Sequence, residues 1–329
     1  MKSLRLAAPR QFEVHALPEA ASPGPGEALV AIRAIGICGT DFSGYLGKMP
    51  FIEYPRILGH ELGVEVLAAG AGVANVRAGD RCAVEPYLNC GRCHSCQRGS
   101  TNCCETLAVL GVHCDGGMRE RMLLPAAKLH ACNELGFEQL ALVETLGIGC
   151  HAVNRAGVTA ADDVLIIGAG PIGLTVLEFA RAAGARITVL EMSEGRRAFV
   201  KAHYPGVEAV ASLPDEPCAQ IVFDATGNAD SMGRAPRLAR FTGRVVYVGI
   251  TKEPVALDDP LFHRRELTLL ASRNAPSADF PRILGMIRRG EIDTRPWISH
   301  RGSFDDLPAR METWLKPESG VIKAVVSLA

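Results

Sequence analysis

The sequence predicts an α/β protein of two domains, in which an irregular, barrel-like β domain accompanies a doubly wound parallel sheet. The chain has 329 residues, enough for about two domains of ordinary size. Residues 1–147 contain short β-branched runs separated by glycine and proline, such as EALVAIRAIGI and GVEVLAAGAGV, which are typical of a β barrel. Beyond residue 147, apolar runs alternate with helical patterns, and this alternation indicates parallel strands with helices on both faces.

A βαβ unit begins this second part of the chain. The stretch DDVLIIGAGPIGLTVLEFARAAGARITVLE reads as a buried strand, a glycine turn, an amphipathic helix that ends near Gly184, and a second buried strand. The runs QIVFDATG and GRVVYVGIT continue the pattern, and two further helices and a closing strand follow. We therefore predict a continuous domain over residues 148–273 and a discontinuous one over 1–147 and 274–329.

A glycine motif at the first turn predicts a dinucleotide site. Residues 168–173 match G-x-G-x-x-G, and Glu191 follows at the end of the next strand, at the spacing that the dinucleotide fingerprint requires. Glycines allow the tight turn, the approach of the pyrophosphate and close helix packing, and Glu191 suits a ribose 2′-hydroxyl, which favours NAD over NADP. Arg196 could lie under the adenine or bind a phosphate instead. The predicted cofactor contacts are Gly168, Gly170, Pro171, Ile172, Gly173, Glu191, Arg196, Thr226 and Val248.

Composition and charge exclude several other functions. The chain has 35 basic and 36 acidic residues, a formal net charge of −1, and no long run of one sign, so nucleic acid and anionic membranes are poor candidate partners. Its most apolar stretch, residues 164–177, is too short and too broken by glycine and proline to span a bilayer, and the N-terminus has no export signal. We therefore expect a cytoplasmic protein, in which the eleven cysteines do not form a disulfide framework.

Four of these cysteines predict a structural zinc site. The spacing C-x2-C-x2-C-x7-C places four thiolates in one loop, formed by Cys90, Cys93, Cys96 and Cys104. Spacing alone leaves open whether Cys103 or Cys104 is the fourth ligand, and His94 lies close enough to compete. An iron–sulfur cluster is the alternative occupant. Most of the dispersed cysteines are expected to be small buried hydrophobic residues.

The order of motifs resembles the zinc-dependent medium-chain alcohol dehydrogenase family along nearly the whole chain. The motifs are GICGTD, ILGHELGVEV, the four-cysteine loop and GAGPIG. The resemblance implies a GroES-like β domain, a Rossmann domain and two Zn²⁺ per chain, with Cys38 and His60 as ligands of a catalytic zinc. The segment VETLG is similar to the E-P-L segment of the polyol dehydrogenase branch with threonine in place of proline, so Glu144 is the expected third ligand. Glu61 is expected to approach the zinc or to support its ligands.

The same resemblance implies the chemistry. Zinc acidifies a coordinated hydroxyl and NAD accepts the hydride. Thr40 stands where the family has a hydroxyl residue that contacts the substrate oxygen. Ser43 stands where many relatives have a histidine, and since serine is no base near neutral pH, the proton must leave through water, the cofactor ribose or a histidine elsewhere.

The expected substrate is a polyol or a sugar acid with a secondary hydroxyl. Two segments contain arginines expected at the cleft, with Met118 and Arg119 in one and Arg273 and Asn274 in the other. The stretches GTDFSGYLGKMPFIEYPRILGHEL and SRNAPSADFPRIL are similar to family members that act on sugar acids, of the L-galactonate and L-gulonate 5-dehydrogenase type. A threonine or simple alcohol dehydrogenase is the alternative, and a metabolite-binding protein without catalysis is a further one. Family members associate through the edge of the cofactor-domain sheet, here near Leu267 to Ala271, so a homodimer or homotetramer is expected.

Overall fold

The chain forms two compact units. The structure is a computed structural model that describes residues 1–328, apart from the side chain of Pro317. The first unit consists of Met1–Glu144 and the segment from Pro276 onward, and the second of Thr145–Ala275. The boundaries expected from the sequence were 147/148 and 273/274, and Ala329, the end of the last expected range, lies outside the described residues.

The strands of the described residues are numbered along the chain. They are β1 (Lys2–Ala8), β2 (Gln11–Ala16), β3 (Glu27–Ile37), β4 (Glu61–Ala69), β5 (Arg81–Val84), β6 (Tyr87–Leu88), β7 (Ala108–Val109), β8 (Arg121–Pro125), β9 (Leu129–Ala131), β10 (Asp163–Ile167), β11 (Arg186–Leu190), β12 (Glu208–Val210), β13 (Ala219–Asp224), β14 (Ala239–Tyr247), β15 (Thr268–Ala271), β16 (Ile298–Ser303) and β17 (Lys323–Ser327).

The α-helices are numbered in the same way. They are α1 (Gly39–Tyr45), α2 (His94–Gln97), α3 (Phe137–Ala141), α4 (Val143–Ala156), α5 (Pro171–Ala182), α6 (Glu194–His203), α7 (Ala229–Leu238), α8 (Asp259–Arg264), α9 (Asp279–Arg288) and α10 (Leu307–Trp314). No helix in residues 1–328 has the length and apolar content needed to cross a bilayer.

The first unit is built around the long strand β3. In the part of the chain that the structure describes, its main sheet has seven strands in the order β16-β17-β3-β4-β5-β9, with β8 also paired to β3. One edge of β3 pairs with β4, and the other edge is shared by β8 and β17, all antiparallel. A buried cluster of Ala34, Ala141, Leu142, Ile298 and Val325 joins the sheet to α3. This sheet carries the residues of the candidate metal centre described below.

The second unit is a parallel sheet of the doubly wound type. Its order over the described residues is β12-β11-β10-β13-β14-β15, and every neighbouring pair is parallel. The strand order reverses between β10 and β13, which is the switch point where such sheets bind ligands at the carboxyl ends of their strands. A core of residues such as Leu165, Val222 and Val245 fills one face. The predicted α/β class is confirmed.

Strand β16 was not expected from the sequence. The two helices and the closing strand predicted after residue 279 correspond to α9, α10 and β17, and β16 lies between the two helices. Its sequence, ISHRGS, has one large apolar residue, Ile298, and its side chains alternate between exposed and partly buried. An edge strand with so little apolar character lacks the pattern by which a buried strand is identified.

Candidate active site and metal centres

The glycine turn after β10 has the geometry of a phosphate-binding loop. Gly168 has φ +96°, a conformation that L-residues rarely adopt. A Cβ on Gly173 would lie 1.8 Å from the carbonyl oxygen of Gly168, so only glycine allows the helix to start this close to the turn. Gly170 is the N-cap of α5, with Pro171 at the first helical position and no capping side chain. The helix N-terminus is therefore open to an anionic ligand.

Glu191 is fixed beside this turn. Its carboxylate accepts hydrogen bonds from the backbone N–H of Ala169 at 2.7 Å and from that of Ser193 at 2.8 Å. Arg196 Nη1 lies 3.9 Å from the carboxylate and 3.6 Å from the position that a Cβ on Gly170 would take. The acid and the arginine predicted for cofactor binding thus lie together at the end of β11.

Thr226 lies in the loop after β13, and Val248 lies in the loop after β14. Asp224, at the end of β13, accepts hydrogen bonds from the backbone N–H of Thr226 at 2.9 Å and from its hydroxyl at 2.7 Å. The methyl group of Thr226 lies 3.2 Å from the Cβ position of Gly168. Val248 follows β14, and its N–H donates to the Asp224 carbonyl. The predicted cofactor residues thus gather at the carboxyl edge of four strands.

The four-cysteine loop forms a compact thiol cluster. The sulfur atoms of Cys90, Cys93, Cys96 and Cys104 all lie within 4.8 Å of one another. The distance from Cys93 Sγ to Cys104 Sγ is 3.9 Å, close to the ~3.8 Å between sulfurs at a tetrahedral zinc with Zn–S bonds of about 2.3 Å. Of the alternatives left open by spacing, Cys104 belongs to the cluster, whereas Cys103 and His94 are exposed and stand outside it.

Backbone amides favour the thiolate form of two of these cysteines. The N–H groups of Arg92 and Cys93 point to Cys90 and lower the pKa of its thiol to about 6. The N–H of Cys90 lowers the pKa of Cys104 in the same way. By contrast, burial raises the pKa of Cys96 to about 11. Because metals bind thiolates, a loop that stabilises negative sulfur before any metal arrives fits zinc.

A second donor group lies at the first turn of α1 and the start of β4. Ligand atoms of Cys38, His60 and Glu61 lie within 4.8 Å of one another. Asp41 connects the two segments, because its carboxylate accepts the N–H of Cys38 at 2.9 Å and the N–H of Gly59 at 3.3 Å. Asp41 Oδ1 also lies 3.8 Å from Nδ1 of His60, where it orients the imidazole electrostatically.

Glu61 is buried and only half satisfied. One carboxylate oxygen accepts a short hydrogen bond from Nζ of Lys323 on β17, and both side chains are almost completely buried. The other oxygen has no hydrogen-bond partner among the described residues. A Cβ on Gly36 would lie 2.0 Å from that oxygen, so glycine at this position leaves the carboxylate its space. A buried oxygen without a partner is an available ligand for a cation.

Glu144 lies beside this group but outside it. It is in the first turn of α4, and one of its oxygens accepts a short hydrogen bond from the hydroxyl of Tyr87. Burial raises the pKa of Glu144, while His60 opposes that shift. Glu144 is the third ligand expected from the resemblance, and Glu61 is expected to approach the zinc or to support its ligands. Within the described residues, however, it is Glu61 whose oxygen falls inside the compact group.

The surroundings of His60 are strongly anionic. Burial by itself would lower the pKa of His60, but Asp41, Cys38 and Glu144 raise it well above the ordinary value. Lys323 responds in the same way, since Glu61 and Cys38 raise its pKa against the effect of burial. A buried cluster with an excess of acidic groups favours a bound cation, so the residues around His60 fit a divalent metal.

Thr40 and Ser43 follow Cys38 on α1. They are three residues apart, which places them on neighbouring turns of one side of the helix, and both are half-buried. Thr40 and Ser43 thus share one face of α1, and Cys38, a ligand of the candidate metal centre, is the N-cap of this helix.

The segment with Met118 and Arg119 is packed more tightly than expected for a cleft wall. Met118 is fully buried, and its side chain lies 3.2 Å from the Cβ position of Gly59. The Arg119 guanidinium donates to the carbonyls of Gly116 at 2.9 Å and Asp115 at 3.0 Å. Part of the donor capacity of Arg119 is thus used by its own loop.

Arg273 and Asn274 belong to the second unit. They follow the end of β15, where Asn274 has φ +52°, and the side chain of Arg273 is exposed. Their contribution to substrate binding stays a prediction.

Three functional candidates are not predicted by the sequence motifs. Asp41 stands in the motif GICGTD, and an acid three residues after a cysteine ligand was a local signal that could have been used. Tyr87 and Lys323 gave no such signal, since their carboxylate partners lie 57 and 262 residues away in the chain.

Two family models match the chain. The model of the alcohol dehydrogenase GroES-like domain matches residues 24–134, and the model of the zinc-binding dehydrogenase matches residues 171–289.

Similar proteins of known name cover nearly the whole chain. L-galactonate-5-dehydrogenase of Escherichia coli K12 is 38% identical over 315 residues, which cover 93% of each chain. L-arabinitol 4-dehydrogenase of Aspergillus oryzae is 32% identical, with 92% of this chain and 86% of that protein covered. The crystal structure of RspB from Escherichia coli CFT073, complexed with NADH, is 27% identical with a TM-score of 0.91, covering 100% of this chain and 99% of the other.

Proposed function

Because the chain belongs to the zinc-binding dehydrogenase family with an alcohol dehydrogenase GroES-like domain, we propose that it oxidises a secondary hydroxyl of a sugar acid or polyol and passes the hydride to NAD. The observation that carries the proposal is the 38% identity with an L-galactonate dehydrogenase over 93% of both chains. The buried donor group at Cys38 and His60 and the open glycine turn support it.

For the catalytic metal we propose Cys38, His60 and Glu144 as ligands, with Glu61 beside them. Zinc, when bound, acidifies a coordinated hydroxyl near neutral pH. The charge of Glu61 is already balanced by Lys323, whereas the hydrogen-bond donor to Glu144 is a neutral phenol. The carboxylate without a bonded ammonium is the stronger ligand for a dication. Catalytic sites use three protein ligands and keep one position open.

The position of Glu61 inside the compact donor group favours the reverse assignment, so the two carboxylates need a direct comparison. Metal content of Glu144→Gln and Glu61→Gln decides between them. We expect Glu144→Gln to lose the catalytic zinc and Glu61→Gln to keep it. The opposite pattern would make Glu61 the third ligand.

The remaining residues have separate roles in the proposal. The cysteines at 90, 93, 96 and 104 hold a second zinc that stiffens their loop. The cofactor lies along Gly168–Gly173, with Glu191 accepting from the ribose. Thr40 contacts the substrate oxygen, and because Ser43 provides no base, water, the cofactor ribose or a histidine elsewhere takes the proton onward. Met118, Arg119, Arg273 and Asn274 are each proposed to contact the substrate.

The test of the function is the formation of NADH or NADPH by zinc-loaded protein. The panel contains L-galactonate, L-gulonate, sorbitol, xylitol, threonine and ethanol, each with NAD and with NADP. We expect the highest kcat/KM with a sugar acid or polyol and NAD. Turnover of threonine or ethanol alone would replace this substrate class, and no turnover of any compound would leave a binding protein.

We further propose a homodimer joined at β15, in the cytoplasm. β15 is an end strand of its sheet, and Leu269 on it is 40% exposed. An unpaired strand edge with exposed apolar side chains is suited to pairing with a second copy. The cytoplasm is proposed because the sequence predicts metal-ligand or small buried roles for the cysteines and not a disulfide framework. Light scattering of Leu269→Lys tests the dimer, with a monomer as the expected result and an unchanged mass as the contrary one.

A further inference from the structure

Tyr87 is a buried phenol whose hydroxyl reaches the candidate metal centre. It donates a hydrogen bond to one oxygen of Glu144, and both side chains are at least 95% buried. We propose that Tyr87 is a positioning residue for the catalytic metal, which holds one oxygen of Glu144 so that the other stays directed to the metal. This inference rests on the proposed role of Glu144 as a ligand.

The ring of Tyr87 is held on several sides, so its hydroxyl has a defined position. The backbone of Tyr87 pairs with Val109 in the β6–β7 ribbon. Its ring meets Phe280 edge to face, with centroids 6.4 Å apart and an interplanar angle of 71°. Phe280 in turn stacks on His130 at 4.8 Å. A ring fixed in this way loses little further entropy when it holds a carboxylate, which makes it an effective support for a metal ligand.

The residues on either side of Tyr87 fix its strand. Glu85 forms a buried ion pair with Lys128 and lies 3.4 Å from Nε2 of His130. Nζ of Lys128 also donates to Asn89 Oδ1 at 2.8 Å. The segment that carries Tyr87 is therefore anchored by polar contacts two residues before it and two residues after it.

The chemistry of the donor suits a ligand carboxylate. A lysine at this position would add a positive charge next to the metal and weaken the binding of a dication. A phenol orients the carboxylate without neutralising it, as the outer partners of metal ligands do. The contrast with Glu61, whose partner is the ammonium of Lys323, shows that the site contains both arrangements.

The test is the affinity of the catalytic site for metal in Tyr87→Phe. This change removes the hydroxyl and keeps the ring. Zn²⁺ is titrated against a colorimetric chelator, and Co²⁺ is exchanged into the site to follow its visible absorption bands. Removing such an outer partner costs about 10- to 100-fold in metal affinity, so we expect a loss of that size, shifted cobalt bands and a retained four-cysteine zinc.

Tyr204→Phe is the matched control. Tyr204 is also a buried tyrosine whose hydroxyl donates to a carboxylate, that of Glu178 at 3.0 Å, but it lies in the second unit. We expect its metal affinity to stay within about twofold of the unmodified protein, since the lost bond touches no metal ligand.

The pair Tyr87→Phe and Glu144→Ala shows whether Tyr87 acts through the carboxylate. Because Glu144→Ala weakens the site, the comparison in that background uses Co²⁺ at concentrations high enough to occupy it, and there Tyr87→Phe should change the metal affinity by less than about twofold. The inference is overturned if Tyr87→Phe alone binds metal like the unmodified protein, if its effect persists without Glu144, or if it releases the four-cysteine zinc equally. Metal affinity is measured without turnover, so a protein that binds metal but oxidises nothing refutes only the proposed function.

Discussion

The buried ion pair between Lys323 and Glu61 allows a quantitative prediction. Lys323→Met keeps much of the side-chain volume but leaves the carboxylate of Glu61 buried without a counter-charge. Removing one partner of a buried pair costs about 3–5 kcal/mol. The second oxygen of Glu61 has no hydrogen-bond partner among the described residues, so in metal-free protein no other hydrogen bond replaces that of the lysine.

The expected shift in melting temperature follows from the size of the unit. For domains of about 150–250 residues, 1 kcal/mol corresponds to about 2–4 °C. Lys323→Met should therefore lower the Tm of the first unit by about 6 to 20 °C. The lysine pKa is raised in the fold, so the contribution of the pair is fully present below the ordinary lysine pKa and is lost only as the pH rises through the raised value. A measurement at pH 7 therefore reports the full contribution of the ion pair to stability.

Tryptophan fluorescence isolates this transition. The two tryptophans of the chain, Trp297 and Trp314, are both buried and both in the first unit. Lys2→Met is the matched control, because Lys2 pairs with an exposed Asp305 in the same unit and such surface pairs contribute at most about 1 kcal/mol.

The double variant Lys323→Met with Glu61→Gln should have a higher Tm than Lys323→Met alone, because it no longer buries an unpaired charge. A Tm for Lys323→Met within about 2 °C of the unmodified protein would refute the reasoning, since the pair would then have no energetic role.

Three further predictions concern the metal and the cofactor. Cys104→Ser should lower the zinc content from about two to one per chain, whereas Cys103→Ser should leave it unchanged. Elemental analysis measures both variants, and an equal zinc content in the two would show that Cys104 is not a zinc ligand. Gly173→Ala should abolish NADH binding by fluorescence titration, because its methyl group overlaps a carbonyl oxygen, while Gly195→Ala, whose Cβ has space, should bind normally. Glu191→Ala should lower kcat/KM with NAD by about 10-fold or more, since a lost charge-assisted hydrogen bond is worth about 1.5–3 kcal/mol. It should also raise the relative use of NADP, and an unchanged cofactor preference would contradict the proposed contact between Glu191 and the ribose.

Local patterns explain why so much of the second unit could be predicted. The glycines at 168, 170 and 173 and the acid at 191 lie within a single βαβ unit, where each residue is interpreted from near neighbours in the sequence. The helix between them begins at a proline and ends next to Gly184, whose φ is +80°, and both are ordinary helix boundary signals.

The candidate metal centre was harder to derive because its geometry depends on distant contacts. His60 and Glu61 are adjacent, yet which carboxylate approaches Cys38 depends on Lys323, which hydrogen-bonds to Glu61, and on Tyr87, which hydrogen-bonds to Glu144. Spacing in the sequence contains no information on such a competition. The same limit applies to Arg119, whose guanidinium contacts two carbonyls of its own loop.

The discontinuity of the first unit has a consequence for synthesis on the ribosome. Glu61 and Lys323 are separated by 262 residues, which at about 5–20 residues per second corresponds to roughly 13 to 50 seconds of translation. During that interval β3 lacks its partner β17, and the carboxylate of Glu61 has no ammonium beside it. The second unit is continuous in sequence and becomes complete earlier. A nascent chain should therefore complete its second unit before Lys323 reaches Glu61, and the part of the β3 edge that later pairs with β17 stays open to chaperones in the meantime.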